Sequence, residues 1–235
     1  MQQLDNFIKS LFSKGRRSPQ RIGVIGDVHC EDWALETAIK FLQAQDTDIV
    51  LCVGDLADGN GDLNKCCEIL QRHQIPTVSG NHDRWLLSEQ ARSLPEATLL
   101  KTVSTEAQQF LRVCPSTLDL QTSYGLMQLC HGLSENDMAS VGIDDFGYAL
   151  ECNEELQGYL YGGHYQLVIC GHTHRRMVRH FKQLTIINAG TIKQEHDPCC
   201  TIIDLENYRV LFHNFENECK ITTTPASSIN LRESF

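Results

Sequence analysis

The stretch Arg21-Ile22-Gly23-Val24-Ile25-Gly26-Asp27-Val28-His29 decides how this chain is read. Its first residues form a short β-branched run of the kind that makes a buried strand. The Gly-Asp-x-His that closes the run sets a carboxylate and an imidazole at the strand's carboxyl end, where open α/β sheets keep their sites. Related clusters recur. Gly54-Asp55-Leu56-Ala57-Asp58 follows an apolar run at 48–53, and Gly80-Asn81-His82-Asp83 follows one at 75–79. His131-Gly132 ends the run 126–130, and Gly171-His172-Thr173-His174 ends the run 167–170. Ligand-type side chains delivered from several strand ends point to one metal site assembled by the fold.

Between these strands the periodicity changes. Leu35, Ile39 and Leu42 share one face of a predicted helix over 33–42, and a second helix is predicted over 63–72. Strand, helix and strand at short spacing predict a parallel α/β sheet with right-handed crossovers. The segment 85–113 reads as mostly helical, broken at Pro95, with a fresh helix opened by Ser104 and Ala107 and running through Leu111. A hairpin is predicted from 117–121 and 126–130 around 123–125. Residues 136–163 are rich in Asp, Glu and Gly, with a helix near 153–160, and read as a lid or specificity loop. Strands are predicted at 167–170, 177–181, 184–188, 201–204 and 209–215, as the antiparallel part of a second sheet packed on the first. The expected organisation is an N-terminal segment 1–20, one domain over 21–221 and a loose polar tail 222–235.

Composition narrows the function classes. The chain has 235 residues and a formal net charge of −10, from 30 acidic and 20 basic side chains. Such a surface is not the electrostatic footprint of a duplex nucleic acid binder. No run reaches the roughly 18 apolar residues that mark a membrane span. Asp5 and Lys9 interrupt the apolar positions of the N-terminus, so it does not read as a secretory signal. Leu4, Phe7, Ile8, Leu11 and Phe12 fall at helical spacing ahead of Lys14, Arg16 and Arg17. That pattern reads as a helix docked on its own domain or a partner, with a membrane-surface helix as the alternative. The 11 cysteines include no C-x-x-C pair, and a chain of this length needs no disulfide staples, so a reducing cytoplasm is expected.

In an extended segment residues i and i+2 point the same way, so Asp27 and His29 are expected to face one direction, as are His172 and His174. Carboxylate with imidazole suits zinc, manganese, iron or nickel and not calcium. Asp27, His29, Asp55, Asn81, His131, His172 and His174 are too many ligands for one tetrahedral ion, which takes about four. If Asp55 bridges, two divalent ions receive four protein ligands each. Asp27 and Asp55 then offset only part of their charge, leaving a cationic spot suited to phosphate. Two such metals acidify a bridging water and neutralise a developing phosphorane. His82 is left over as acid or base, with Asp83 as the carboxylate expected to orient its ring.

In order along the chain, D-x-H, G-D-x-x-D, G-N-H-D, a strand-borne His and G-H-x-H resemble the calcineurin-like metallophosphoesterase family, over about 22–215. Asn188-Ala189-Gly190-Thr191 resembles the turn that often follows the last motif. The resemblance implies an α/β fold of two mixed sheets packed as a sandwich and flanked by helices. It implies Asp27, His29, Asp55 and His174 on one metal, Asp55, Asn81, His131 and His172 on the other, and His82 either stabilising the transition state or protonating the leaving oxygen. Manganese is the expected metal, with iron, zinc, nickel and cobalt as alternatives. Protein phosphatases of the family carry an Arg after the second Asp of G-D-x-V-D-R-G; here Gly59 follows Asp58. The chain therefore resembles the small bacterial and archaeal phosphodiesterase branch, with Asp58 supporting the ligands from behind. Arg84 is expected either on a substrate phosphate or in an ordinary salt bridge.

The function expected is a phosphodiesterase on a small phosphorylated substrate, nucleotide-like ones included. The alternatives are a phosphomonoesterase or nucleoside-polyphosphate hydrolase at the same site, protein phosphatase-like activity included, and a non-catalytic interaction protein. The last predicts eroded ligands, and all seven are intact.

Overall fold

A computed structural model describes residues 18–90, 94–217 and 219–232. The helix expected within 4–12 lies outside the described residues. β1 (Arg21–Ile25) runs parallel to β2 (Ile49–Cys52), with Val24 opposite Leu51. The crossover between them is α1 (Asp32–Ala44), which lays Leu35, Ile39 and Leu42 on the sheet, with Leu42 against the bare backbone of Gly23. Next comes α2 (Leu63–Arg72), begun by the Asp62 carboxylate, which accepts the amides of Asn64 and Lys65 at 2.9 and 3.3 Å. Such a cap contributes about 1 kcal/mol.

The strand expected at 75–79 shrinks to one bridge, Cys52 to Thr77. Pro76 has no amide to give, and the chain turns at Gly80 into α3 (Asn81–Leu87). The long helical reading of 85–113 also gives way. α3 stops at Leu87, a 3₁₀ turn covers Leu100–Thr102, and α4 is Thr105–Val113, capped by Ser104 Oγ accepting the Ala107 amide at 3.1 Å. Residues 94–97 form a turn closed by the Ala97 amide donating to the Leu94 carbonyl at 3.2 Å, and Thr98 just beyond it is tied to Asp58.

The hairpin forms as expected, from β3 (Thr117–Thr122) and β4 (Gly125–Cys130). α5 (Tyr148–Glu151) and α6 (Glu154–Gly162) follow, then β5 (Leu167–Cys170), β6 (Met177–Phe181) and β7 (Leu184–Asn188). The second sheet has the order β3-β4-β5-β7-β6, parallel through β4, β5 and β7 and antiparallel at both edges. β8 (Cys199–Asp204) and β9 (Arg209–Asn217) do not join it, contrary to expectation. They return to the first sheet, where β8 lies antiparallel to β1, in the order β10-β9-β8-β1-β2 with β10 as Lys220–Ile221. β8 is buried at every position, and such a strand carries no periodic signal of which sheet it enters. The tail is not loose either. β11 (Ser227–Asn230) pairs with β9, and Leu231 is buried while Tyr124 Oη donates to its carbonyl at 3.0 Å.

Both sheets are therefore mixed, and the α/β sandwich flanked by helices is the observed architecture. Alternation within each strand builds its layers. Ile22, Val24, Leu51, Val53, Leu129, Leu167 and Ile169 fill the space between the sheets. Ile25, Val50 and Cys52 face α1, α2 and α4 on one outer side. Val168, Cys170 and Ile186 face Leu156 and Tyr159 of α6 on the other. The carboxyl ends of β1, β2, β4 and β5 emerge on one rim of this sandwich.

Candidate metal centre

Each motif leaves its strand by a turn. His29, Asp55, His172 and His174 have φ of 48°, 48°, 68° and 58°, left-handed conformations uncommon for residues with a Cβ and concentrated at functional sites. The strand alternation expected for Asp27/His29 and His172/His174 is therefore replaced by tight turns. Their effect is to send His172 and His174 to different sides of Asp55.

On one side, His29, Asp55 and His174 each present a ligand atom, all within 4.8 Å of one another. On the other, Asp55, His131 and His172 do the same. Asp55 belongs to both. Asn81 joins the second group, with Oδ1 3.0 Å from His131 Nε2 and 2.9 Å from His172 Nδ1. Asp27 reaches the first through Oδ2, 3.9 Å from His174 Nε2, while its Oδ1 accepts the His172 amide at 3.0 Å.

The imidazoles are aimed from behind. His29 Nδ1 donates to the Asp58 carbonyl at 2.9 Å and His131 Nδ1 to the Val53 carbonyl at 2.9 Å, so each turns Nε2 inward. His29 Nε2 and His174 Nε2 then stand 2.9 Å apart. Asn188 braces the last motif, its amide donating to the Gly171 carbonyl and its Oδ1 accepting Gly190 N at 2.9 Å. Two glycines make room. A Cβ on Gly80 would sit 2.1 Å from Asp55 Oδ1, and one on Gly171 would sit 2.7 Å from Asp27 Oδ1.

Asp27 Oδ2 is buried and has no hydrogen-bond partner. An unpaired buried carboxylate oxygen costs at least a few kcal/mol, and a cation is what the surrounding donor set is built to take. The protons tell the same story. Burial pushes the Asp27 carboxyl up to about 7 and pushes His29 down to about 4 and His174 to about 3. Both of those histidines are thus held in the neutral form that binds metals. Burial also opposes a charge on His131, but the Asp55 and Asp27 carboxylates, 3.2 and 3.4 Å away, outweigh it and raise that ring to about 10. The donor set of nitrogen and oxygen with one shared carboxylate fits divalent ions on either side of Asp55.

His82 sits at the edge of these groups, with its amide donating to Asp55 Oδ1 at 2.8 Å and its Nε2 4.0 Å from Asp55 Oδ2. Its Nδ1 lies 2.5 Å from Asp58 Oδ2. Asp83, expected to orient this ring, does not touch it. Asp83 is the third residue of α3, and its carboxylate turns back to accept the amides of Gly80, Leu56 and Ala57 at 3.0, 2.8 and 3.0 Å. It pins the Asp55 turn to the start of α3. Asp58 is the residue that holds His82, and its other oxygen accepts the Thr98 amide at 2.8 Å.

Arg84 is forked onto Asp137, Nε to Oδ2 at 2.6 Å and a terminal nitrogen to Oδ1 at 2.8 Å. His196 packs edge-on against His174, and His164 lines a separate pocket beneath α6. Sequence reasoning missed Lys193, a buried lysine whose Nζ meets Glu96 at 3.1 Å and whose charge bears on His29 and His174. Nothing local marks it, because its importance comes from a fold-level contact with the 94–99 loop.

The profile of the calcineurin-like phosphoesterase superfamily domain matches residues 21–208. Comparison of the sequence with curated proteins finds no match. Among solved structures, a metallophosphoesterase from Sphaerobacter thermophilus superposes with a TM-score of 0.60 at 20% identity, covering 84% of this chain and 88% of that one. Yfce, a phosphoesterase from E. coli, gives 0.55 at 14% identity over 90% and 100% of the two chains. An archaeal phosphodiesterase gives 0.54 at 14% identity over 83% and 99%. Likeness at these identities speaks to the fold.

Proposed function

This chain belongs to the calcineurin-like phosphoesterase superfamily, and we propose that within it the protein is a dimetal phosphodiesterase acting on a small phosphorylated substrate. One observation carries the reading: Asp55 lies in both ligand clusters, beside a buried Asp27 oxygen with no partner of its own. Asp27, His29, Asp55 and His174 would hold one divalent ion, and Asp55, Asn81, His131 and His172 the other. We assign manganese first, with iron, zinc, nickel or cobalt as alternatives. When bound, such a pair supplies an acidified water and positive charge against the developing phosphorane.

The remaining chemistry belongs to the protein's own side chains. With only two carboxylates among seven ligands, the loaded site stays about +2 within a molecule of net charge −10. A phosphate anion is drawn to that cationic spot within an otherwise acidic molecule. The His82–Asp58 hydrogen bond fixes the ring with Nδ1 occupied, which leaves Nε2 to hand a proton to the departing oxygen. The Asp58 carboxylate stabilises the charged imidazolium before transfer, as an orienting acid does in other histidine dyads. Arg84 remains a candidate for the substrate phosphate only if its fork leaves Asp137. No helix among the described residues is long and apolar enough to cross a membrane. The 11 unbridged cysteines support a reducing compartment, the cytoplasm.

The test is a substrate screen on manganese-reconstituted protein with metal analysis alongside. Two ions per chain and faster hydrolysis of an aryl phosphodiester than of the matching monoester are expected. Fewer than two ions at saturation overturns the dimetal assignment. A reversed rate ratio moves the protein to the monoesterase reading.

A further inference from the structure

A cleft of about 570 Å³ opens beside the centre, with His131 in its wall. Its volume is in the range of small-molecule sites that take a nucleotide-sized group. Leu87 and Leu111 give it apolar surface, Ser116 a hydroxyl, and Arg84 and Arg112 its positive charge. The two arginines differ. Arg84 is neutralised by its bidentate pair with Asp137. Arg112, exposed at the end of α4, has no hydrogen bond, ion pair or ring contact among the described residues. The other carboxylate of the lining, Glu135, makes no ion pair with it. In a chain with 30 acidic and 20 basic side chains, a cation left unpaired at the mouth of a cleft beside the catalytic centre is unusual.

We infer that this cleft takes the part of the substrate beyond the scissile phosphate, and that this part carries a second phosphate read by Arg112. The inference rests on the phosphodiesterase reading and deepens it. The substrate class is a nucleotide-sized phosphodiester whose alcohol bears a second phosphate. A guanidinium offers such a group two parallel donors, and the apolar wall accommodates the flat or aliphatic body between the two phosphates. Asp137 keeps Arg84 from competing for the second phosphate.

Two esters that differ only in that second phosphate test it: thymidine 5′-(4-nitrophenyl phosphate) and its 3′-phosphorylated analogue, each hydrolysed by the manganese-loaded protein. The 3′-phosphorylated ester should show a KM about tenfold lower, the equivalent of one good charge-assisted contact. Arg112→Gln should bring the ratio of the two KM values to about one, and Arg112→Lys should keep most of it. As a readout independent of turnover, calorimetry on the metal-free protein should find thymidine 3′,5′-bisphosphate bound about tenfold more tightly than the 5′-monophosphate, a difference that Arg112→Gln removes. Equal KM values in the native protein overturn the inference and leave the phosphodiesterase reading standing. Equal losses on both esters in Arg112→Gln would place the arginine on the scissile phosphate and also overturn it. Hydrolysis of neither ester by protein holding two metals overturns the phosphodiesterase reading instead.

Discussion

Replacing Asp58 by Asn, and separately His82 by Ala, isolates the proton-donating step from the metal site. Asp58 is 2% exposed, with Oδ2 2.5 Å from His82 Nδ1 and Oδ1 accepting the Thr98 amide at 2.8 Å. An asparagine of the same shape keeps one acceptor for Thr98 but places a neutral group against the ring. A hydrogen bond to a charged partner contributes about 1.5–3 kcal/mol. At 1.4 kcal/mol per factor of ten, kcat should fall roughly 10- to 150-fold. The loss should depend on the leaving group, since a nitrophenolate departs without a proton and a weakly acidic phenol does not. A series of methyl aryl phosphates with leaving phenols of rising pKa therefore gives a shallow rate dependence in the native protein and a steep one in both variants. Metal content should stay the same, because the contact to His29 runs through the Asp58 backbone carbonyl and survives the change. An unchanged leaving-group slope would refute His82 as the acid. Loss of metal in His82→Ala would show that the ring is a ligand after all.

Asp83→Asn should behave differently from Asp58→Asn. It weakens acceptors for three buried amides, so a loss of about 1–3 kcal/mol in a denaturant melt is expected, together with weaker metal binding as the Asp55 turn loosens. A variant as stable as the native protein but slow at low leaving-group acidity would restore Asp83 to the catalytic role. For Gly80→Ala, the Cβ placed 2.1 Å from Asp55 Oδ1 should abolish saturable metal binding by calorimetry; full binding would mean the turn yields at little cost. Truncation after residue 226 removes β11 and the buried Leu231, and burial of one such side chain contributes about 1.5–3 kcal/mol. A Tm unchanged by the truncation would show that the tail does not hold the sheet edge. In the metal-free protein His131 is raised from 6.5 to about 10. The folded state then binds this proton more tightly than the unfolded one, so the contribution is complete below pH 6.5 and is lost as pH rises through about 10. Asp27, raised to about 7, acts in the same direction below that pH, whereas His29 and His174, lowered to about 4 and 3, oppose it up to 6.5. Stability of the metal-free protein should thus fall from pH 7 to 10 by a few kcal/mol, and metal should remove the slope by taking the proton's place. A flat profile without metal would refute the charge arrangement around His131.

The ends of the strands, the hairpin and α2 over Leu63–Arg72 were legible in the sequence because each rests on a local signal: a β-branched run, a turn, a helical periodicity. The seven ligand-type residues were legible for the same reason, since each stands next to the glycine or strand end that delivers it. What joins distant segments was not. Asp83 is the sequence neighbour of His82 and Asp58 stands 24 residues away, yet the packing of α3 on the Gly54 turn brings Asp58 to the ring and turns Asp83 onto the backbone. Arg84 could only find Asp137 once the 136–163 segment folded back beside α3. β8 is buried at every position, and burial alone does not say which of two sheets it enters and draws β9 into. The sequence by itself determined which chemical groups this protein has and roughly where each leaves its strand, because those depend on near neighbours. Tertiary structure alone decided which group faces which, because a contact across dozens of residues is set by packing, and a few positive-φ turns were enough to send His172 and His174 to opposite sides of one carboxylate.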